Sequence, residues 1–238
     1  MLWYKAWLET RTRFSICLAG ILILCSYSVF HGERQATSWV DGRYYNYVLS
    51  EGHALLALMW VFAVILLMMG GLLREEALGA APFTLALPVS RQKTMAVRIA
   101  AGAFQGLILA VLPWCAMYLV ASILGKTFSL PQTAFHLLLL LTGGSVFFAV
   151  SLLASSTLSG EYTPAVASFG TMLAIAAMLG DKKLRIFSPL AFMMGTEYFN
   201  PDTNLLVGPF PWAVAAVWLS VAVLLTWIAV RVITKRDF

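Results

Sequence analysis

The chain has 238 residues, of which 61% are hydrophobic and 11% charged, with a mean hydropathy of +0.83. A soluble domain carries roughly 25% charged residues, so this composition excludes an ordinary water-soluble globule and selects lipid as the solvent. The net charge of +5 is spread over several loops, and no basic patch alternates with stacking aromatics, which excludes a nucleic-acid surface.

Residues 1–13 predict an amphipathic helix. Trp3 and Trp7 share a face that Phe14 continues, while Lys5, Glu9 and Arg13 repeat at i, i+4 on another face with signs that attract. Aromatics beside a basic face suit an interfacial helix lying among lipid headgroups. Residues 14–30 predict the first span, 17 residues without a charge, at the short end of what crosses a bilayer. This run reads as a span rather than a cleavable signal peptide, because no small-x-small cleavage site follows it. Residues 31–53 read as a polar loop with Glu33, Arg34, Asp41, Arg43 and Glu51; its Trp39, Tyr44, Tyr45 and Tyr47 read as an aromatic belt beside the membrane. Residues 54–73 predict the second span, 20 uncharged residues.

The stretch from Leu73 to Arg98 is the long charged interruption that carries a pattern: Arg74, Glu75 and Glu76, then Gly79 and Pro82, then Pro88-Val89-Ser90, then Arg91, Lys93 and Arg98. Its charges and broken backbone have no place in hydrocarbon and put it in water at a membrane face. Residues 99–124 predict the third span, with Gln105 inside, a Gly102–Gly106 pair that permits close helix packing, and Pro113 expected to kink it. After a turn over 125–133, residues 134–155 predict the fourth span, holding Gly143-Gly144 and a lone His136 that reads as interfacial. A short turn with one charge, Glu161, precedes the fifth span at 163–180. Residues 181–204 mix Lys182, Lys183, Arg185, Glu197 and Asp202 with Phe187, Leu190, Phe192, Met193 and Met194, which cannot all face water. The last span covers about 209–233, with Pro209 and Pro211 at its start and Trp212 as an interfacial anchor.

These elements predict an all-α polytopic membrane protein, one transmembrane domain over 1–238 with six spans and both termini on one face. That face gathers Lys5, Arg11, Arg13, Arg74, Arg91, Lys93, Arg98, Arg231, Lys235 and Arg236; the other gathers Arg34, Arg43, Lys126, Lys182, Lys183 and Arg185. The positive-inside rule then puts both termini, the 73–98 loop and the Glu161 turn in the cytoplasm, and 181–204 outside.

Several chemistries lack their residues. Gly125-Lys126-Thr127 has Val120 where a phosphate-binding loop needs glycine. Glu75-Glu76 has Ala80 where the membrane-embedded prenyl-protein proteases need arginine, and the later histidines of that set are missing. No GxSG frames a nucleophile, and Met178 stands where an intramembrane aspartyl protease has glycine. Cys17, Cys25 and Cys115 show no CxxC spacing and no histidine cluster, so they read as small buried packing residues, and no metal is expected. The span interiors hold Gln105, serines and threonines but no charge to couple an ion gradient. Such a chain is expected to receive its energy from another subunit.

Arg74-Glu75-Glu76-x-x-Gly79 followed by Leu85-Ala86-Leu87-Pro88-Val89-Ser90-Arg91 is the specific run. Around it stand the Trp3/Trp7 helix leading to Arg13-Phe14, six spans, the Ser159-Gly160-Glu161-Tyr162 turn and a basic-Asp-Phe ending. In these features, over nearly its whole length, the chain resembles a permease subunit of the type-2 ABC exporter family. The resemblance implies that the segment after span two is a cytosolic coupling helix resting on an ATPase subunit. The ATPase-coupling residues it implies are Arg74, Glu75, Glu76, Leu78, Gly79, Leu85, Pro88 and Arg91, with Glu161 in a second, smaller contact. It implies external re-entrant half-helices over 181–204, and spans two and five lining the path. The expected partners are a cytosolic ABC ATPase that carries ATP and Mg, a second copy of this chain or a related permease, and membrane lipid. The expected location is a bacterial plasma (inner) membrane, and no cofactor or catalytic residue is expected in this chain. One departure is Gly79-Ala80, where members often have Gly-Thr. The residues fit the role independently, since Leu78, Ala81 and Leu85 share a helix face and Glu75 and Glu76 suit the positive end of a short helix. The competing expectations are a non-transporting scaffold or immunity-type protein and, last, an intramembrane protease.

Overall fold

A computed structural model describes residues 2–36, 42–69, 90–125, 129–160, 162–195, 197–199 and 207–235, with side chains described at all of these except 32–51 and 182. Every regular element among the described residues is a helix. They are α1 (Leu2–Ala36), α2 (Gly42–Met68), α3 (Arg91–Ile123), α4 (Leu130–Thr157), α5 (Thr163–Ala177, continued by a 3-10 turn Met178–Gly180), α6 (Lys182–Arg185), α7 (Pro189–Met194) and α8 (Trp212–Lys235). Among the described residues five stretches are long and apolar enough to cross a membrane: Leu2–His31, Arg91–Ile123, Leu130–Thr157, Thr163–Gly180 and Trp212–Lys235. The chain is thus an all-helical, multi-pass membrane protein.

The shorter apolar stretch Gly52–Met68 of α2 is the centre of the bundle. Between Gly52 and Met69 only Phe62 is exposed, and Leu56, Ala57 and Val61 are fully buried. A helix apolar on every side belongs inside, with other helices around it; α2 packs against α1, α3, α4, α5 and α7. Small residues let the neighbours come close. The Trp60 indole N–H donates to the Gly106 carbonyl at 2.8 Å, and on the other side a side chain at Gly144 would run into the same indole, 2.9 Å from Cη2. Trp60 is therefore keyed between α3 and α4. The Gly102–Gly106 pair faces α2, as its spacing predicts, with Met68 and Trp60 opposite. Pro113 sits buried within α3 without ending it.

Three sequence expectations change. First, no separate interfacial helix precedes span one: α1 runs unbroken for 35 residues. No glycine or proline interrupts residues 2–19, Lys5 and Glu9 approach to 3.8 Å one turn apart, and Arg13 satisfies its charge on α2 rather than by turning the chain toward water. Second, the loop expected over 31–53 is helical from Gly42 onward, and α2 ends at Met68 rather than at 73. Polarity alone does not stop a helix, and 42–51 contains no proline. Third, Cys115 is exposed on the bundle surface while Cys25 is buried and Cys17 intermediate. Residues 37–41, with Trp39, lie outside the described residues, as do the side chains of Tyr44, Tyr45 and Tyr47.

The two ends of the bundle are chemically distinct. Leu2, Met68, Thr94, Ser155 and Ile233 line one cavity, so α1 and α8 start and finish at the same end. At about 1.5 Å per residue, the 33 residues of α3 reach about 50 Å, well beyond a hydrocarbon core of about 30 Å. Charges have no place in hydrocarbon, so the charged N-terminal turns of α1 and α3 are the parts that fall outside it. Their basic residues (Lys5, Arg11, Arg13, Arg91, Lys93, Arg98) make this the basic end.

At the opposite end lie α6 and α7. Asp181 caps α6, accepting from the Lys183 amide at 2.8 Å. Ser188 caps α7, accepting from the Ala191 amide at 3.3 Å, with Pro189 at the favoured first position. Gly195 ends α7 with φ 68°, its amide donating to the Ala191 and Phe192 carbonyls, both at 3.1 Å; this left-handed position needs glycine. Leu190, Ala191, Phe192 and Met193 of α7 are all buried.

Candidate functional site

Of the residues assigned to ATPase coupling, Arg74, Glu75, Glu76, Leu78, Gly79, Leu85, Pro88 and Glu161 lie outside the described residues. Arg91 is described, as the first residue of α3. The two anchors of the 74–90 segment are also described, and they are built in detail.

The first anchor is the C-terminal end of α2. A helix leaves its last four carbonyls without intrahelical donors, and cations are favoured at that end. Two arginines from different helices meet this need. Arg13 of α1 donates to the carbonyls of Leu66, at 3.3 Å, and of Met69. Arg98 of α3 donates to the Met68 carbonyl at 2.6 Å. α1 and α3 are thereby pinned to the last turn of α2, immediately before the segment that carries Arg74–Glu76. A polar contact between α1 and α3 adds to this: Gln105 Nε2 donates to Thr10 Oγ1 at 2.7 Å, and Thr10 Oγ1 donates to the Ala6 carbonyl at 2.9 Å.

The second anchor is the start of α3. Ser90 is its N-cap, with extended backbone, and Ser90 Oγ accepts from the Lys93 amide at 3.3 Å. The Thr94 hydroxyl donates to the Ser90 carbonyl at 3.4 Å. Arg91 and Lys93 follow directly, so the segment re-enters the bundle on a capped helix whose first turn is basic.

Between these anchors lies a cavity of about 60 Å³, walled by Lys5, Glu9, Thr10, Arg98, Ser155 and Ser156 together with Leu67, Met68 and Ile233. The Ser155 and Ser156 hydroxyls both donate back to the Leu152 carbonyl, at 2.9 and 2.8 Å. The second expected contact, the turn at 159–162, leaves α4 at this same end. Gly160 has φ 116°, and a side chain there would lie 2.8 Å from Thr163 Oγ1, so this turn requires glycine.

Sequence reasoning missed two features. Arg13 read as part of the charged face of residues 1–13 and Arg98 as a topology charge; their pattern, an arginine within a turn of each apolar run, signals the membrane edge but not the carbonyls they reach. The second feature is a buried histidine pair at the far end. His53, placed in a loop by the sequence reading, is 1% exposed, and His136, read as interfacial, is 3% exposed. Their ring centroids lie 4.5 Å apart. Trp114 packs beside both rings and Phe199 stacks on His136 at 4.3 Å. Next to this pair Tyr198 is described outside the spans, and burial, then the Glu197 carboxylate, push its phenol above the ordinary value. Arg185 and Glu197 pair across 3.9 Å at the same end. Among the described residues no group of three or more His, Cys, Asp or Glu side chains is placed to hold a metal.

A scan against protein-family models returns no match, and no curated protein matches the chain closely enough to assign it. The functional reading therefore rests on the residues and on the geometry of the two ends.

Proposed function

We propose that the chain is the membrane-spanning permease subunit of an ATP-driven exporter of the type-2 ABC class. In this reading it forms the substrate path as a dimer, with a second copy or a related permease, and is driven by separate cytosolic ATPase subunits that bind ATP and Mg. The six-span count takes α2 as the sixth span, and 74–90 is the coupling segment. The observation that carries the reading is the pinned end of α2. A coupling element has to pass a push from water into the bundle, and here the segment leaves from a helix whose residues from Gly52 to Met68 are, Phe62 apart, all buried or half-buried. That helix end is tied by Arg13 and Arg98 to both flanking helices. A solvated tether would not need such an anchorage. The basic end supports a cytosolic placement by the positive-inside rule, and the inner-membrane location belongs to the same proposal. α7 at the far end fits an external element that dips back into the bundle.

The test is co-purification followed by turnover. The tagged chain, expressed with its genomic neighbours and extracted in mild detergent, is expected to bring down a stoichiometric ATPase whose hydrolysis changes when the permease is present. Replacing Glu76 or Leu78 is expected to uncouple hydrolysis from transport while leaving the helices folded. A stable oligomer without an ATPase, or mutants with full coupled turnover, would remove the coupling role and leave the scaffold reading.

A further inference from the structure

α7 is six residues long and ends at Met194, so the Met193 carbonyl is one of the terminal acceptors that a helix cannot satisfy itself. Gly195 donates to Ala191 and Phe192 instead. Met193 finds its donor on α2: His53 Nε2 lies 2.7 Å from the Met193 carbonyl oxygen. A carbonyl only accepts, so the proton sits on Nε2 and the other ring nitrogen, Nδ1, is a bare lone pair, buried and without a hydrogen-bond partner. His136 is fixed in the same way, its Nδ1–H donating to the Gln132 carbonyl at 2.8 Å. The neighbouring ring therefore holds its own place on α4 beside the His53 imidazole, with Trp114 packed against both.

The contacts of α7 with α4 are of another kind. A side chain at Gly143 would lie 2.6 Å from Met193 Cγ and 2.9 Å from the Pro189 carbonyl, and one at Gly195 would lie 2.6 Å from Leu139 Cδ1. This is apolar packing, with Met193 seated in the space left by the absent side chain of Gly143. The hydrogen bond to His53 is directional. It breaks when α2 and α7 move apart by about 1 Å.

We propose that His53 is the pin by which α2 holds α7 closed over the outer end of the bundle, so that displacement of α2 frees α7 as a gate. The arginine-tied end of α2 lies 15 positions along the same helix, about 22 Å away at the helical rise. One stiff element therefore joins the anchored segment to the gate. The assignment of ATP as the source of the displacement rests on the proposed coupling role; the pin itself does not.

The experiment uses the full chain in lipid nanodiscs, where both faces meet solvent. Cys17, Cys25 and Cys115 are replaced and Ala191→Cys is introduced as the reporter, with Lys183→Cys, on the exposed α6, as a control. A water-soluble maleimide is expected to label Ala191→Cys slowly in the otherwise native chain and about tenfold faster with His53→Phe, the equivalent of one buried hydrogen bond lost. His53→Gln, which keeps an N–H donor, is expected to restore protection, and Lys183→Cys to label at one rate throughout. An unchanged Ala191→Cys rate in His53→Phe overturns the pin. If His53→Phe does not accumulate, His53→Leu and hydrogen exchange of the α7 amides give the same comparison. With the co-purified ATPase, a non-hydrolysable ATP analogue is expected to change the reporter rate in the native chain. A rate that follows His53→Phe but not nucleotide keeps the pin and removes the coupling reading. A rate that follows nucleotide but not His53→Phe keeps the coupling reading and overturns the pin.

Discussion

Arg13 and Arg98 show how a charge at the edge of a membrane can be spent on structure. Each is partly buried, and each donates to backbone carbonyls of the last turn of α2. A charge-assisted hydrogen bond of this kind contributes about 1.5–3 kcal/mol. Arg98→Ala is therefore expected to cost about that much in thermal unfolding of the detergent-solubilised chain, and to speed hydrogen exchange in the α2 terminal turn. Arg98→Lys keeps the charge but loses the planar fork and is expected to recover only part. Because both arginines hold one helix end, the double variant with Arg13→Ala should not be additive. An additive pair would mean that each arginine acts elsewhere.

For the helices as elements, the key is Trp60. Its N–H is fixed on Gly106 and its ring fills the space left by the absent side chain of Gly144. The indole cannot swing away from a new methyl without giving up that bond. Gly144→Ala is thus expected to destabilise by about 1–3 kcal/mol. Gly20→Ala on α1 and Gly170→Ala on α5, where nothing lies within 4 Å of the added carbon, are expected to be neutral or mildly stabilising through helix propensity. Thermal unfolding of the three variants side by side separates packing from propensity.

The glycine pair 102/106 was legible in the sequence as a close-packing position, and so were the spans over α4, α5 and α8, because apolar length and helix-start prolines are local signals. The join of residues 1–13 to the first span was not legible, nor was the start of α2 at Gly42. Amphipathicity and polarity describe which solvent a turn prefers, not whether the helix continues through it. The arginine and histidine contacts were illegible for a stronger reason. Arg13–Leu66 and His53–Met193 join residues 53 and 140 positions apart, and single residues at such separations leave no periodic trace.

For the whole molecule, the deciding fact is that most of the basic side chains among the described residues stand at one end. Lys5, Arg11, Arg91 and Lys93 lie in the N-terminal parts of α1 and α3, and Lys235 closes α8 at the same end. At the opposite end stand Lys183 and Arg185, the latter paired with Glu197. A cytosolic ATPase can act on residues 74–90 only if the basic end faces the cytoplasm, so orientation and function stand together. In the cysteine-replaced chain, Lys183→Cys is expected to react with an impermeant maleimide on intact cells. Tyr4→Cys, on an exposed side chain of α1, is expected to react only after the membrane is opened. The reverse pattern would put the anchored end of α2 outside the cell, out of reach of any ATP-binding partner. The arginine ties would then be a structural cap, and the histidine pin would face the cytoplasm.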